Sequence, residues 1–304
     1  MKLAILCSGQ VGQQRNMLDE ILADPACAAI INSASEVLGL DLASWWFKLE
    51  EQELFLNANA QFAIAIYQLA TFSRIKTHLP EISMVVGYSV GELLAYFVAG
   101  ALNAQQTLRL VRERARLMDQ VQGGMLLWRG RASPATVLRR DRLMAEYGLV
   151  VAIKRRQGEL VLAGSRESVS RFISEMHEYI PGLVALPVTI PSHTPYLAGA
   201  AQAFREILSA SEMTVPKIPL LSAVDGMPVR TRDAAIDALS RQMESTIRWD
   251  ACMAALRESG VTAALELGPG NDLAKLLLEV HPRIMARSVG DFHDFRKLSE
   301  QFRA

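Results

Sequence analysis

The sequence predicts an α/β protein with a mainly parallel sheet covered by helices. Two observations lead to this prediction. Strand and helix patterns alternate at both ends of the chain, and a buried-type strand at 84–87 runs directly into a tight turn and a helix. The length of 304 residues, 50% of them hydrophobic, is sufficient for one large or two modest domains with a buried core.

The alternation of strands and helices is clearest outside the middle of the chain. The pattern predicts, in order, a strand over 3–7, a helix over 60–77, the strand over 84–87, two helices up to about residue 121, a strand over 219–223, helices over 234–243 and 250–259, a strand over 263–267 and a helix ending at 280. Because strands separated by helices commonly pair in parallel, we expect these strands to form one sheet.

The middle of the chain has a different pattern. It predicts a strand over 124–128, a helix that Ser133 caps and that ends near 147, strands over 150–153 and 160–163, a helix over 166–179 and a strand over 183–188. The order β-α-β-β-α-β is the ferredoxin-like pattern. We therefore predict a large domain made of 1–122 and 190–304, with a small ferredoxin-like subdomain, 123–189, inserted into it.

The charge of the whole chain is balanced, with 32 basic and 32 acidic residues. This balance argues against a nucleic-acid-binding or membrane-binding protein. The predicted insert is the exception, because 123–190 carries a net charge of +4. This excess is consistent either with an ordinary solvated surface or with a patch for phosphates or an acidic partner protein.

Cysteine usage and the N-terminal sequence predict the compartment. The three cysteines, Cys7, Cys27 and Cys252, are widely spaced and form no Cys-x-x-Cys or metal-ligand pattern. The N-terminal apolar stretch is too short for a signal peptide, and no apolar run approaches membrane-spanning length. We therefore expect a cytoplasmic protein without a metal site.

A candidate nucleophile follows the strand at 84–87. Gly87-Tyr88-Ser89-Val90-Gly91 matches the Gly-x-Ser-x-Gly nucleophile elbow, which holds a serine hydroxyl on a tight turn between a strand and a helix. The N–H groups and dipole at the start of that helix favour an oxyanion beside the serine. The alternative is a strand-to-helix turn in which the serine is only an N-cap.

A serine nucleophile needs a general base. Of the five histidines, His78, His177, His281 and His293 have ordinary surface contexts. His193 instead lies in a loop stiffened by two prolines, where the chain returns from the predicted insert to the large domain. A base at this boundary would face a cleft, so His193 is the candidate, with a structural loop histidine as the alternative.

Arg114 occupies an unusual position for a charged residue. A helical wheel of 107–121 places it in the middle of the apolar face, opposite Arg109, Arg112 and Arg116. A buried guanidinium is costly unless a carboxylate pairs with it. That carboxylate comes either from the protein or from a ligand, and an acidic acyl group would suit the planar guanidinium.

Several dispersed motifs occur in the chain in a characteristic order. They are Cys7-Ser8-Gly9-Gln10-Val11-Gly12-Gln13, Gly87-Tyr88-Ser89-Val90-Gly91-Glu92, Arg114-Ala115-Arg116-Leu117-Met118, Pro191-Ser192-His193, residues 237–242 through Trp249, and Glu266-Leu267-Gly268-Pro269-Gly270. Over nearly its whole length the chain thereby resembles the malonyl-CoA:acyl-carrier-protein transacylase family, which includes polyketide acyltransferase domains. The resemblance implies an α/β-hydrolase-like core for the large domain.

The resemblance also implies roles for individual residues. Ser89 would be the acylated nucleophile and His193 the base of a Ser-His dyad. Arg114 would bind the malonyl carboxylate, and Gln61 would line the substrate pocket. A backbone carbonyl near Arg248 would orient the histidine, and the Arg248 side chain would add a second positive charge near the pocket.

The family pattern further implies that the backbone N–H groups of Gln10 and Val90 form the oxyanion hole. The chain departs from the pattern around this loop, since Ser8 and Val11 replace the usual proline and glycine. It also has Tyr88 where a histidine is common. The sequence Gly-Tyr-Ser-Val-Gly-Glu most resembles the malonyl transacylase subunit, the epsilon subunit, of malonate decarboxylase.

We therefore expect an acyltransferase that moves malonyl from malonyl-CoA to the prosthetic-group thiol of an acyl carrier protein, within malonate decarboxylase. Malonyl-CoA is the substrate, and no permanently bound cofactor is expected. Three alternatives are the same reaction in fatty-acid or polyketide synthesis, a serine esterase or thioesterase, and a non-catalytic subunit that docks a carrier.

Overall fold

A computed structural model describes residues 1–10, 12–130, 134–180, 182–292 and 294–302. Val11, Ser133 and His293, which the sequence analysis singled out, lie outside the described residues. Within the described ranges the chain forms two sheets and a set of helices that cover them. Side chains of both sheets pack into one shared hydrophobic core.

The strands of the described chain are β1 (Leu3–Cys7), β2 (Ile82–Gly87), β3 (Gly124–Arg129), β4 (Val150–Arg156), β5 (Glu159–Gly164), β6 (Leu183–Ala185), β7 (Leu220–Leu221), β8 (Ile247–Arg248), β9 (Ala263–Glu266) and β10 (Met285–Ser288). The α-helices are α1 (Asp19–Ala23), α2 (Ala28–Leu38), α3 (Leu42–Lys48), α4 (Asn57–Ile75), α5 (Gly91–Val98), α6 (Ala104–Met118), α7 (Pro134–Tyr147), α8 (Arg166–Met176), α9 (Ala198–Ala210), α10 (Arg232–Glu244), α11 (Trp249–Glu258), α12 (Asp272–Val280) and α13 (Arg296–Phe302).

The first sheet has the strand order β10-β9-β1-β2-β7, and every pairing in it is parallel. The predicted α/β fold with a parallel sheet is therefore confirmed. The register pairs Cys7 with Gly87 and Leu6 with Glu266, so β1, β2 and β9 end at the same level. Because the carboxyl ends of parallel strands lie at one edge, the three motifs that follow these strands converge there.

The second sheet has the order β6-β3-β5-β4-β8. Its first four strands pair antiparallel, and β8 adds in parallel beside β4. Since β8 comes from 247–248, this mixed sheet extends beyond the segment 123–189 that we expected to form it alone. β6 is also shorter than predicted and ends two residues before Pro187, which has no N–H to donate to a strand ladder.

The strand β1 shows how the two sheets share the interior. Leu3, Ile5 and Cys7 point into a core that contains α4 and α5. Ala4 and Leu6 point into a second core, which also contains side chains of β3, β4 and β5 from the other sheet. Because side chains alternate between the two faces of a strand, β1 contributes to both hydrophobic cores.

Three further properties concern the described part of the chain. The cysteines Cys7, Cys27 and Cys252 are buried and unpaired. No cluster of three His, Cys, Asp or Glu side chains in the described ranges could hold a metal ion. No single helix there is long and apolar enough to cross a membrane, although the bent pair Pro25–Leu38 and Leu42–Lys48 together meets the length and composition required.

Candidate active site

The Gly87–Gly91 segment forms a tight turn between β2 and α5. Ser89 has a φ of 57°, in the left-handed region that a non-glycine residue rarely adopts. A Cβ atom on Gly87 would lie 2.3 Å from the Glu92 nitrogen, and one on Gly91 would lie 2.2 Å from the Cys7 carbonyl oxygen. Both positions therefore require glycine, and the turn has the strained geometry of a nucleophile elbow.

His193 faces this serine. Its Nε2 atom lies 2.9 Å from Ser89 Oγ, and its Nδ1 atom lies 2.7 Å from the Gln242 carbonyl oxygen. This is the backbone carbonyl of Gln242, which can only accept a hydrogen bond. Nδ1 therefore carries the proton, and Nε2 is left to accept the proton of the serine hydroxyl. His193 also has a positive φ, 61°, and its backbone N–H donates to the Met243 carbonyl.

The electrostatic surroundings keep His193 uncharged. The side chain is 1% exposed, and burial together with the positive charge of Arg114 lowers its pKa to about 3, although the hydrogen bond to Gln242 opposes this. At neutral pH the ring is therefore a neutral imidazole, the form in which it can remove a proton.

The carbonyl that orients His193 is not the one we expected. It belongs to Gln242 in the last turn of α10, where helix carbonyls lack intrahelical partners. Arg248 instead lies on β8, whose backbone pairs with β4 in the second sheet. Its guanidinium forms an ion pair with Asp250 at 2.9 Å. Arg248 is not among the residues that line the cavity beside Ser89.

Gln10 and Val90 flank the serine. Gln10 lies in the turn after β1 and lines the same cavity as Ser89, while Val90 is buried at the start of α5. In the described part of the chain, neither backbone N–H donates to another residue. Two free N–H groups beside the serine are the donors that an oxyanion hole requires.

Arg114 is buried, as the helical wheel predicts, and is 2% exposed. Its Nη1 donates to Gln61 Oε1 at 2.6 Å, and its Nη2 donates to Gln242 Oε1 at 2.9 Å. Among the described residues no carboxylate contacts this guanidinium directly. Burial lowers the pKa of Arg114 to about 10, and the negative charge of Glu92 opposes that shift.

Glu92 and Gln242 are functional candidates that the sequence analysis missed. Glu92 is fully buried on α5 and accepts from Gln242 Nε2 at 2.6 Å. Gln242 is 1% exposed. Both residues could have been found by the pattern that identified Arg114, namely a polar residue on the apolar face of a helix.

The cavity beside Ser89 and His193 has a volume of about 440 Å³. One wall is apolar and comes from the second sheet and the segment after it, with Met125, Leu127, Ile153, Val161, Val184, Leu186 and Val188. Arg129 and Arg155 also line it, whereas Gln61 and Arg114 do not. Tyr88 lines it too, and its ring packs edge-on against Trp249 at 5.3 Å between centroids.

A strained serine, a neutral histidine and free backbone N–H groups fit acyl transfer through a serine ester. Residues 5–283 match the family model described as the acyl transferase domain. The chain belongs to this family. The family that the sequence motifs indicate is thereby confirmed, as is the prediction of an acyltransferase.

Two relatives are similar to the chain over nearly its whole length. The malonyl CoA-acyl carrier protein transacylase of Bacillus subtilis (strain 168) is 29% identical over 299 residues, which cover 95% of this chain and 94% of that protein. A structure described as the crystal structure of MCAT from Mycobacterium tuberculosis superposes with a TM-score of 0.87 and 29% identity, covering 98% of this chain and 100% of that one.

A third similar structure contains a carrier protein. It is described as a type II polyketide synthase acyl-carrier protein in complex with its malonyl-transacylase. It superposes with a TM-score of 0.90 and 26% identity, and covers 99% of this chain and 100% of that one. The first and third of these descriptions name a transacylase together with an acyl carrier protein, and none of the three mentions malonate decarboxylase.

Proposed function

We propose that the chain transfers malonyl from malonyl-CoA to the prosthetic-group thiol of an acyl carrier protein, through a malonyl ester on Ser89. The observation that carries this proposal is Arg114, a buried cation without a directly bound carboxylate among the described residues, one amide side chain away from Ser89. A malonyl group brings both a thioester for the serine and a carboxylate for the guanidinium.

In the first half-reaction, Ser89 Oγ attacks the thioester carbonyl while His193 Nε2 takes the hydroxyl proton. The carbonyl oxygen becomes an oxyanion that the N–H groups of Gln10 and Val90 stabilise. When the oxyanion collapses, the C–S bond breaks and CoA leaves as its thiol with the proton from His193. The malonyl-serine ester remains.

The second half-reaction reverses these steps with a different thiol. The carrier's prosthetic thiol gives its proton to His193 Nε2 and attacks the ester carbonyl. The C–O bond to Ser89 then breaks, and the serine oxygen takes the proton back. The Gln242 backbone carbonyl holds the tautomer and orientation of His193, so the Ser-His dyad needs no third carboxylate for that purpose.

The similar proteins support a carrier of fatty-acid or polyketide synthesis, since they are named as acyl carrier protein transacylases and one is a polyketide enzyme. The finer proposal, that the carrier is the subunit of malonate decarboxylase, rests on Tyr88 within Gly-Tyr-Ser-Val-Gly-Glu alone. Comparing malonyl transfer to the two types of holo-carrier would distinguish them.

For the fold we propose an α/β-hydrolase-like core formed by 1–122 and 190–304 and a ferredoxin-like subdomain formed by 123–189. The strand order β6-β3-β5-β4 supports the latter, because the four strands of a β-α-β-β-α-β unit are arranged there as fourth, first, third and second.

The test of the reaction is the intact mass of the protein after incubation with malonyl-CoA. We expect one added malonyl group, which is absent in Ser89→Ala and disappears when a holo-carrier is added. Loss of the group to water as fast as to the carrier would indicate a hydrolase instead. No labelling of the wild-type protein would contradict the proposal altogether and favour a docking subunit.

A further inference from the structure

The side chain of Gln242 connects the elements of the site more extensively than any proposed step requires. Its Nε2 donates to the Ser89 carbonyl at 2.8 Å and to Glu92 Oε2 at 2.6 Å. Its Oε1 accepts from Arg114 at 2.9 Å. Both N–H groups of the amide are therefore used, and its oxygen is used as well.

These partners fix the orientation of the amide. If the amide were flipped, its oxygen would face the carboxylate of Glu92 and the carbonyl of Ser89, and its NH₂ group would face the guanidinium of Arg114. All three contacts would be unfavourable, so Glu92 and Ser89 together direct the Gln242 oxygen towards Arg114.

A similar arrangement exists on the other side of the guanidinium. Gln61 Oε1 accepts from Arg114, and Gln61 Nε2 donates to Asn57 Oδ1 at 2.6 Å. Asn57 in turn donates to Asp119 Oδ1 at 3.0 Å. Among the described residues, each nearby carboxylate is thus separated from Arg114 by at least one neutral amide.

This separation matters for the substrate. Amide oxygens hold the guanidinium in place without neutralising its charge, and they occupy two of its five N–H groups. A protein carboxylate in direct contact would neutralise Arg114 and repel a second carboxylate.

We propose that Gln242 is a positioning residue for acyl selectivity: held by Glu92, it fixes Arg114 beside Ser89 while keeping the protein's own carboxylate one amide away. This inference rests on the proposed function, because it presumes that a carboxylated acyl group binds Arg114. Burial raises the pKa of Glu92 to about 7, and the hydrogen bond from Gln242 opposes this shift.

The decisive test exchanges the two side chains in the double variant Glu92→Gln with Gln242→Glu. The exchange keeps the composition of the buried pair and places the carboxylate directly on Arg114. We expect the ratio of kcat/KM for malonyl-CoA to that for acetyl-CoA to fall by about tenfold or more, mainly through a higher KM for malonyl-CoA. The exchange removes the donor to the Ser89 carbonyl for both substrates, so the ratio, and not the rate of acetyl transfer alone, reports the role of Gln242.

The control is Gln202→Glu, the same chemical change at an exposed position of α9. Its selectivity should equal that of the wild-type protein, and thermal unfolding reports whether each variant folds. If the exchange variant does not fold, Gln242→Met removes the acceptor of Arg114 without adding an anion, and the same ratio should fall through KM.

Two failures are distinguishable. If wild-type Ser89 takes no malonyl group, the proposed function is wrong. If the wild-type protein is malonylated and a folded exchange variant, or Gln242→Met, retains the wild-type preference for malonyl, the role of Gln242 is wrong while the function stands.

Discussion

At the scale of single residues, backbone strain marks the candidate chemistry. Ser89 and His193 are the non-glycine residues with positive φ in the described chain, and their side chains meet at 2.9 Å. Such conformations persist only where the surrounding structure imposes them. The glycine contacts of the elbow and the hydrogen bond from the His193 N–H to Met243 supply that constraint here.

Replacing Arg114 with alanine should shift the preference of the enzyme from malonyl-CoA towards acetyl-CoA. The variant removes the only partner proposed for a malonyl carboxylate, and binding that carboxylate in a buried site without a partner is costly. We expect kcat/KM for malonyl-CoA to fall by about 100-fold or more and that for acetyl-CoA to fall much less. Steady-state transfer to a holo-carrier measures both, and an unchanged preference for malonyl would contradict the role of Arg114.

The low pKa of His193 gives a prediction for the pH dependence of acylation. With a pKa of about 3, His193 remains a neutral base throughout the range from pH 7.5 to 5.5. A histidine with its ordinary pKa of 6.5 would lose about tenfold of its neutral form at pH 5.5. We expect single-turnover labelling of Ser89 to show no such decrease, and a tenfold loss would mean that His193 is solvated.

At the scale of the elements, Ser8 shows how the turn after β1 is held without the proline common in the family. Ser8 Oγ donates to Glu266 Oε1 at 2.9 Å, and the Ser8 carbonyl accepts from Gln68 Nε2 at 2.8 Å. The other oxygen of Glu266 accepts from the Ala274 N–H in the first turn of α12. Hydrogen bonds from β9 and α4 therefore replace the rigidity of a proline beside Gln10.

Glu266 should make stability depend on pH. Burial raises its pKa from 4.5 to about 7, so between these values the native state binds more protons than the unfolded state. The contribution of Glu266 to stability is therefore present at low pH and is lost as the pH rises through this window.

The variant Glu266→Gln cannot ionise, and its one carbonyl oxygen can still accept from the Ala274 N–H while its NH₂ group faces the Ser8 hydroxyl oxygen. Between pH 4.5 and 7, the free energy of unfolding of the wild-type protein should fall relative to the variant by about 1.4 kcal/mol per pH unit. Urea unfolding at several pH values measures this difference, and a constant difference would show that Glu266 keeps an ordinary pKa.

At the scale of the whole molecule, charged side chains join the second sheet to α12 beside the cavity. Arg155 on β4 is buried, pairs with Glu159 Oε1 at 2.6 Å and also contacts Asp272 at the start of α12. Arg156 contacts Glu279 on the same helix. The contacts of Arg155 with Asp272 and of Arg156 with Glu279 connect the second sheet to α12 at one wall of the cavity.

Two single variants, Arg155→Met and Asp272→Asn, test which contact of Arg155 contributes more to stability. Removing Arg155 leaves the buried Glu159 carboxylate with weaker partners, so we expect about 3 kcal/mol lower stability. Asp272 is 71% exposed in its side chain, and its loss should cost less than about 1 kcal/mol. Urea unfolding of both variants measures the two values, and equal effects would contradict this ranking.

Local features of this protein could be predicted from the amino-acid sequence alone. The elbow, the loop at His193, the helical face of Arg114 and the parallel α/β order follow from short-range patterns of turn residues and hydrophobic periodicity. The sequence analysis predicts none of the helices α1, α2, α3, α9 and α13 and neither of the strands β8 and β10, and α4 begins at Asn57 and not near residue 60. Such boundaries depend on tertiary packing more than on local preference.

The tertiary structure alone decides which residues that are distant in the sequence contact His193 and Arg114. Gln242 was missed in favour of Arg248 because nearby residues of one segment enter different elements: the end of α10 faces His193, whereas β8 joins the second sheet. Likewise, the sequence required a partner for Arg114 but could not choose it. Hydrogen-bond partners across the core depend on how helices pack in space, and no local spacing records that Gln61 and Gln242 approach the same guanidinium.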